Sequence, residues 1–194
     1  MSSDQKGRSI NRKNVLFGLD NAGKTSILEV LSGLKASELS VTPTQGMQIK
    51  KLSYLHIHNI YFWDVGGQLR YRNEEYVKEA DAVLFVIDAS DVSRFGEGEV
   101  FFQKIITKCS EFSIVPPIVL LFHKWDLINE NDETSMTEIK KLQSELVKNA
   151  KNNSQNITTY KTSIYDLESL VSAFSFLSYL CFHNAGFKFP TKTV

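Results

Sequence analysis

Two hydrophobic rhythms alternate along the chain. Short continuous apolar runs at 15–17, 82–88 (AVLFVID) and 118–122 (IVLLF) have the composition of strands buried on both faces of a parallel sheet. Between them, apolar positions recur at helical spacing. They are Ile27, Leu28, Leu31 and Leu34, then Val100, Phe101, Ile105 and Phe112. Met136, Ile139, Leu142 and Leu146 follow, then Leu167, Leu170, Val171, Phe174, Leu177 and Leu180. Residues 47–56 and 57–64 read as two strands of a hairpin around His58-Asn59, and 157–162 as a last short strand. Strands separated by helices predict a doubly wound α/β fold, a mostly parallel six-stranded sheet with helices on both faces. Such sheets bind ligands beyond the carboxyl ends of their strands.

Residues 1–12 are polar and lack helical periodicity, which predicts a flexible N-terminal tail, one folded domain over 13–185 and a C-terminal tail over 186–194. The polar stretch 149–156 predicts a mobile loop. At 194 residues and 42% apolar content, the chain is long enough to bury a proper core. Lys plus Arg and Asp plus Glu both number 22, so no net charge argues for a nucleic-acid partner. Cys109 and Cys181 fall on helix faces at no metal-ligand spacing and read as reduced, partly buried thiols. No apolar run is long enough to span a bilayer, and the N-terminus lacks a signal peptide's apolar stretch. Ser2 stands where N-myristoylation needs glycine, and Thr191, Lys192, Thr193 and Val194 are no prenylation box. With no direct membrane anchor evident, the expectation is a cytoplasmic protein recruited to membranes by partners.

The chemistry begins at Gly18-Leu19-Asp20-Asn21-Ala22-Gly23-Lys24-Thr25, which matches G-x-x-x-x-G-K-[ST] between a predicted strand and a predicted helix. Glycines let successive backbone N–H groups turn in around a phosphate, and the helix N-terminus adds partial positive charge. Lys24 is then placed for the β- and γ-phosphates and the Thr25 hydroxyl for Mg²⁺. Downstream, Trp63-Asp64-Val65-Gly66-Gly67-Gln68 ends the hairpin. There Asp64 suits the Mg²⁺ site, the Gly67 N–H suits the γ-phosphate, and Gln68 suits orientation of an attacking water. Thr44, in Thr42-Pro43-Thr44, is ordered between these motifs as a further Mg²⁺ ligand. His123-Lys124-Trp125-Asp126 follows the fifth strand. The Asp126 carboxylate can accept from guanine's ring N–H and amine together, and the Lys124 stem can cover the purine. Thr162-Ser163-Ile164 ends the last strand, with the Ile164 N–H placed for the guanine carbonyl.

Together GLDNAGKT, TPTQG, WDVGGQ, HKWD and TSI resemble the nucleotide motifs of the Ras-like small GTPases. The front half looks most like the Arf and Arf-like family, while HKWD and TSIYD are more similar to the Rag GTPases. The resemblance implies GTP/GDP as bound nucleotide with Mg²⁺ as cofactor. It implies nucleotide contacts from Gly18, Asp20, Asn21, Ala22, Gly23, Lys24, Thr25, Ser26, Thr44, Gly67, His123, Lys124, Asp126, Ser163 and Ile164. Thr25, Thr44 and Asp64 would hold the metal, and Gln68 and Lys24 would be catalytic. It also implies an exchange factor, a GTPase-activating protein and effectors as partners, and a hairpin that slides in register between nucleotide states. His123 replaces the asparagine that in most relatives ties the base loop to the phosphate loop. The 68–82 segment is about two residues shorter than its Arf counterpart by motif alignment. The polar N-terminus has neither the amphipathic helix nor the acylated glycine of Arf proteins.

The expected reaction is in-line attack of water on the γ-phosphate. No arginine occurs in 38–43, where Gα proteins carry one, so slow hydrolysis awaiting an activating protein is expected. Asp20 stands where Ras has glycine and would crowd the γ-phosphate. Arg70 and Arg72 are fingers in cis only on a weaker reading than solvated or effector-facing residues. Tyr71 and Tyr76 read as exposed effector contacts or as packing residues of a switch helix. The main alternative is a GTP-binding scaffold subunit with negligible hydrolysis. An ATPase or kinase is disfavoured by Asp126, and a vestigial module by the intact Lys24, Thr25, Thr44 and Asp64.

Overall fold

The computed structural model describes residues 11–39, 42, 44–54 and 58–183. Six strands, β1 (Asn11–Gly18), β2 (Met47–Tyr54), β3 (His58–Val65), β4 (Ala82–Asp88), β5 (Ile118–His123) and β6 (Ile157–Lys161), form one sheet in the order β2-β3-β1-β4-β5-β6. All pairs are parallel except β2 with β3. Four helices complete the fold: α1 (Lys24–Leu31), α2 (Phe95–Glu111), α3 (Glu133–Asn152) and α4 (Leu167–His183). The expected doubly wound architecture is therefore present.

Alternation along the strands divides the core. Val15 and Phe17 of β1 join Phe85, Leu120 and Phe122 under α2 and α3, while Leu16 joins Leu84, Val119 and Leu121 under α1 and α4. The side chains of α4 that meet the sheet, Leu170, Ala173, Phe174, Leu177 and Cys181, recur every three or four residues, one face of a helix. Asp132 caps α3 by accepting the Thr134 N–H at 3.1 Å. No helix among the described residues is long and apolar enough to cross a membrane.

Several expectations are corrected locally. β1 begins at Asn11, which pairs with Asn59, so the strand takes in the last two residues of the segment read as tail. His58 and Asn59 lie within β3, opposite Tyr54 and Ser53, because the ladder extends further than turn-forming residue types suggest. Residues 149–152 continue α3, closed by Ala150, which is buried against the core. Leu34 falls beyond α1 and is 45% exposed, and Val100 turns outward while Phe102 and Ile106 turn in. Between β3 and β4 the chain makes two 3₁₀ turns, Leu69–Tyr71 and Glu74–Val77, where a switch helix was expected. Tyr71 and Tyr76 are half-buried, Tyr76 edge-on to Trp63 at 5.8 Å. Both cysteines are buried free thiols, pushed up to about 11 at Cys109 and about 12 at Cys181, chiefly by burial. The two terminal tails, apart from Asn11 and Arg12, lie outside the described residues.

Candidate nucleotide-binding site

β1 leaves the sheet at Gly18, with φ +142°; a Cβ there would lie 2.2 Å from the Val86 carbonyl oxygen, so a side chain would force β1 and β4 apart. The loop turns through Asn21 at φ +61° and Gly23 at φ +92°, and α1 starts at Lys24 with no side-chain cap and no acid in its first turn. The first N–H groups of α1 thus remain available to an anion. Lys24 Nζ donates to the carbonyls of Gly18 at 3.0 Å and Leu19 at 2.8 Å. Burial lowers its pKa to about 8, opposed by the charges of Asp64 and Asp20. A buried ammonium with carbonyl partners and, among the described residues, no paired carboxylate calls for an anion.

Next to it, the Thr25 hydroxyl lies 2.7 Å from that of Thr44 and donates to Asp64 Oδ2 at 2.6 Å, with Thr44 Oγ1 3.5 Å from the same oxygen. Asp64 is wholly buried, and its Oδ1 has no hydrogen-bond partner. Burial raises the Asp64 pKa, against the Thr25 hydrogen bond and the charge of Lys24. Adjacent ligands of an octahedral Mg²⁺ at 2.0–2.1 Å lie about 2.9 Å apart, close to the hydroxyl spacing here. Hard oxygen donors and an orphaned buried carboxylate oxygen therefore fit a small divalent cation.

The loops meet backbone to backbone. Gly66 N–H donates to the Gly46 carbonyl at 2.8 Å, and a Cβ on Gly66 would lie 2.8 Å from the Thr44 carbonyl oxygen. A Cβ on Gly67 would lie 2.1 Å from the Asp20 nitrogen. This closure frames a cleft of about 250 Å³ lined by Lys24, Thr25, Ser26, Thr44, Gly67 and Gln68 among others. The Gln68 side-chain carbonyl accepts from Arg70 Nε at 3.2 Å. The Asp20 carboxylate is held by Arg94 at 2.7 Å. Burial raises the Asp20 pKa, but the Arg94 hydrogen bond and charge leave it below the ordinary value.

The 123–126 and 162–164 loops sit beside this cleft. His123 is buried, its Nδ1 3.0 Å from Thr162 Oγ1, and its ring lies against Gly23, where a Cβ would meet Cδ2 at 2.6 Å. Ring packing thus links the 123–126 loop to the 18–25 loop where an asparagine would use a hydrogen bond. Burial, then the charge of Lys124, lowers the His123 pKa to about 4. Lys124 adopts φ +61° and pairs with Asp88 at 2.6 Å. The Ser163 hydroxyl donates to Asp126, and the Trp125 N–H donates to the Thr162 carbonyl at 3.1 Å, tying these two loops together.

The cleft gathers Asp20, Asn21, Gly23, Lys24, Thr25, Ser26, Thr44, Gly67 and Gln68. Gly18 and Ala22 shape it from behind, Ala22 within the core under α1 and α4. His123, Lys124, Asp126, Ser163 and Ile164 are not among the residues lining that cleft; His123 abuts it through Gly23, and Ser163 bonds Asp126. Sequence reasoning missed Asp88, Arg94 and Glu97. Asp88 ends a strand as Asp64 nearly does, and Arg94 with Glu97 is an i, i+3 pair at the start of α2, which were the available signals.

The ADP-ribosylation factor family model matches residues 1–181. The chain belongs to the Arf family. It is 36% identical to ADP-ribosylation factor-like protein 3 of Chlamydomonas reinhardtii over 116 residues, 59% of this chain and 63% of the relative. Identity is 32% to ADP-ribosylation factor-like protein 3 of Caenorhabditis elegans over 133 residues, 68% of this chain and 69% of the relative. ADP-ribosylation factor-like protein 4A of Homo sapiens is 36% identical over 135 residues, 66% of this chain and 64% of the relative. The first of these matches therefore spans less than two thirds of the relative's length. In fold, this Arf-family chain is similar to the Arl6 BBS3 small GTPase from Trypanosoma brucei, solved with bound nucleotide analogue GppNp. The TM-score is 0.68 at 22% identity, covering 88% of this chain and 97% of that one.

Proposed function

We propose that this Arf-family chain is a guanine-nucleotide switch that binds GTP and GDP with Mg²⁺, hydrolyses GTP slowly and engages partners through the two loops that close on the phosphate cleft. The observation that carries the reading is the juxtaposition of the buried Lys24 ammonium, held only by carbonyls among the described residues, with the Thr25, Thr44 and Asp64 oxygens. An anion and a small cation satisfy both halves of that arrangement at once. Thr25, Thr44 and Asp64 would hold Mg²⁺, which when bound supplies charge to offset the β- and γ-phosphate oxygens. Lys24 and the uncapped N–H groups of α1 bind the phosphates, and the Gly67 N–H meets the terminal one. Gln68 orients water once its side-chain amide leaves Arg70. Asp126, held by Ser163, selects guanine through paired acceptance, and Lys124, steadied by Asp88, covers the ring.

Slow turnover follows from the arginines. Arg70 engages Gln68, Arg72 engages the Gly67 carbonyl and Glu97, and Arg94 engages Asp20, so each guanidinium already has partners. Because hydrolysis removes the phosphate that both loops touch, it withdraws one hold on Thr44 and Gly67 together, so the closed state is populated more with GTP than with GDP. Exchange, activating and effector proteins would act on those loops, with any membrane recruitment through partners.

Phosphate release from GTP and Mg²⁺, with nucleotide extraction from the same sample, tests this. Bound guanine nucleotide with slow release that Gln68→Leu abolishes supports the switch. Bound GTP with no release, indifferent to Gln68→Leu, supports a scaffold, the reading favoured by the Arg70 hydrogen bond on Gln68.

A further inference from the structure

A chain of polar contacts leaves the second switch loop and returns to the same point on the phosphate loop. Arg72 Nε donates to the Gly67 carbonyl at 2.7 Å, and its other arm donates to Glu97 Oε1 at 2.6 Å. Arg94 Nε donates to Glu97 Oε2 at 2.9 Å. The Arg94 terminal nitrogens reach Asp20 Oδ1 at 2.7 Å and the Asp20 carbonyl at 3.2 Å. Asp20 is the residue whose backbone nitrogen Gly67 abuts. The ring thus closes through two carboxylates, two guanidiniums and a backbone contact.

Exposed ion pairs generally contribute little, and pairs of this kind scattered over a surface would carry no inference. Three features distinguish this one. The Arg72 side chain is only 8% exposed, and its guanidinium lies over the Phe101 ring at 5.1 Å. Glu97 uses both carboxylate oxygens, one for each arginine, at 2.6 and 2.9 Å, whereas the direct approach of Arg72 to Asp20 Oδ1 is longer, 3.9 Å, so Glu97 is the tighter of the two joints. The two charges of each sign cancel, so the ring fixes geometry without adding net charge beside the phosphates.

We propose that Arg72 and Arg94, joined through Glu97, are positioning residues that hold Gly67-Gln68 against the phosphate loop. They set the closed position of the second switch from outside the nucleotide, with Asp20 as the anchor. The glycine N–H proposed for the terminal phosphate is then placed before nucleotide arrives. The ring also gives the Asp20 side chain a role other than crowding that phosphate. This inference rests on the reading of the cleft as a GTP site.

Glu97→Gln in the full chain is the test, because it keeps the shape, touches no nucleotide and removes the charge that bridges the arginines. Affinities for GDP and for a non-hydrolysable GTP analogue are measured side by side. The expected result is GDP affinity unchanged within about twofold and analogue affinity lower by about fivefold to tenfold, the scale of a charge-assisted contact. Arg72→Lys should reproduce the loss, since an ammonium lacks the planar fork that spans Gly67 and Glu97. Equal changes in both affinities, or none in either, overturn the proposal while leaving the functional reading intact. Wild-type chain that binds neither nucleotide overturns the functional reading and this inference with it. Hydrogen exchange over residues 66–77 without nucleotide gives an independent readout. Faster exchange in Glu97→Gln supports the ring, and unchanged exchange refutes it.

Discussion

Lys24 is the group whose protonation should respond most directly to a ligand. Burial holds its pKa at about 8, against an ordinary lysine value of 10.5. At pH 8.5 roughly a quarter of the free chain would carry the ammonium, whereas a bound polyphosphate favours the charged form fully. Binding should therefore take up roughly three quarters of a proton at pH 8.5 and roughly a tenth at pH 7. Titration calorimetry with GDP and Mg²⁺, in two buffers of different ionisation heat at each pH, reads that number from the dependence of heat on buffer. The linked stability effect has a definite sign. Between about pH 8 and 10.5 the unfolded lysine keeps a proton that the folded one has shed, so nucleotide-free protein gains stability as pH rises through that window. Below it, both forms are protonated and the full penalty, about 3 kcal/mol, is present. Heat independent of buffer at pH 8.5, with binding confirmed, would refute the account of Lys24 as a buried cation awaiting an anion.

Other expectations follow from single contacts. Gly67→Ala, whose new carbon would overlap the Asp20 backbone, should cost at least about tenfold in affinity for a GTP analogue and spare GDP, measured by competition binding. His123 stays neutral in the fold down to about pH 4, so acidification from 6.5 towards 4 should remove about 3 kcal/mol of stability. The His123→Asn variant should show a flatter acid limb in denaturant melts. Arg70→Ala frees the Gln68 amide and should leave single-turnover hydrolysis within about threefold; a fall of about a thousandfold would make Arg70 a finger in cis.

The fold was legible because buried parallel strands and amphipathic helices have different periods, and β4 and β5 are uninterrupted apolar runs. The cleft was legible because two motifs with fixed offsets, 18–25 and 63–68, each end a strand, and Lys24, Thr25 and Gly67 from them line one cleft. Long-range partners were not. Arg94 lies 74 positions from Asp20, and nothing local to either announces the pair. Asp88 was hidden for the same reason, its partner Lys124 being 36 positions away across a strand pair. The His123 link was missed because an aromatic ring against a glycine leaves no pattern of donors and acceptors to read.

The sheet edge carries a consequence for motion. Among the described residues β2 is bonded only to β3, and β3 is tied to the rest of the sheet only through β1. Along β3, Ile60 and Phe62 face α1 and α4 while Trp63 and Val65 face the other layer. A slide of the hairpin by one residue along β1 would therefore exchange the two layers' side chains wholesale. A slide by two restores every residue to its own side, a stride of about 6.6 Å. Displacement of this hairpin is thus quantised: half a stride has no stable resting place, and the pleat itself divides its travel into discrete positions.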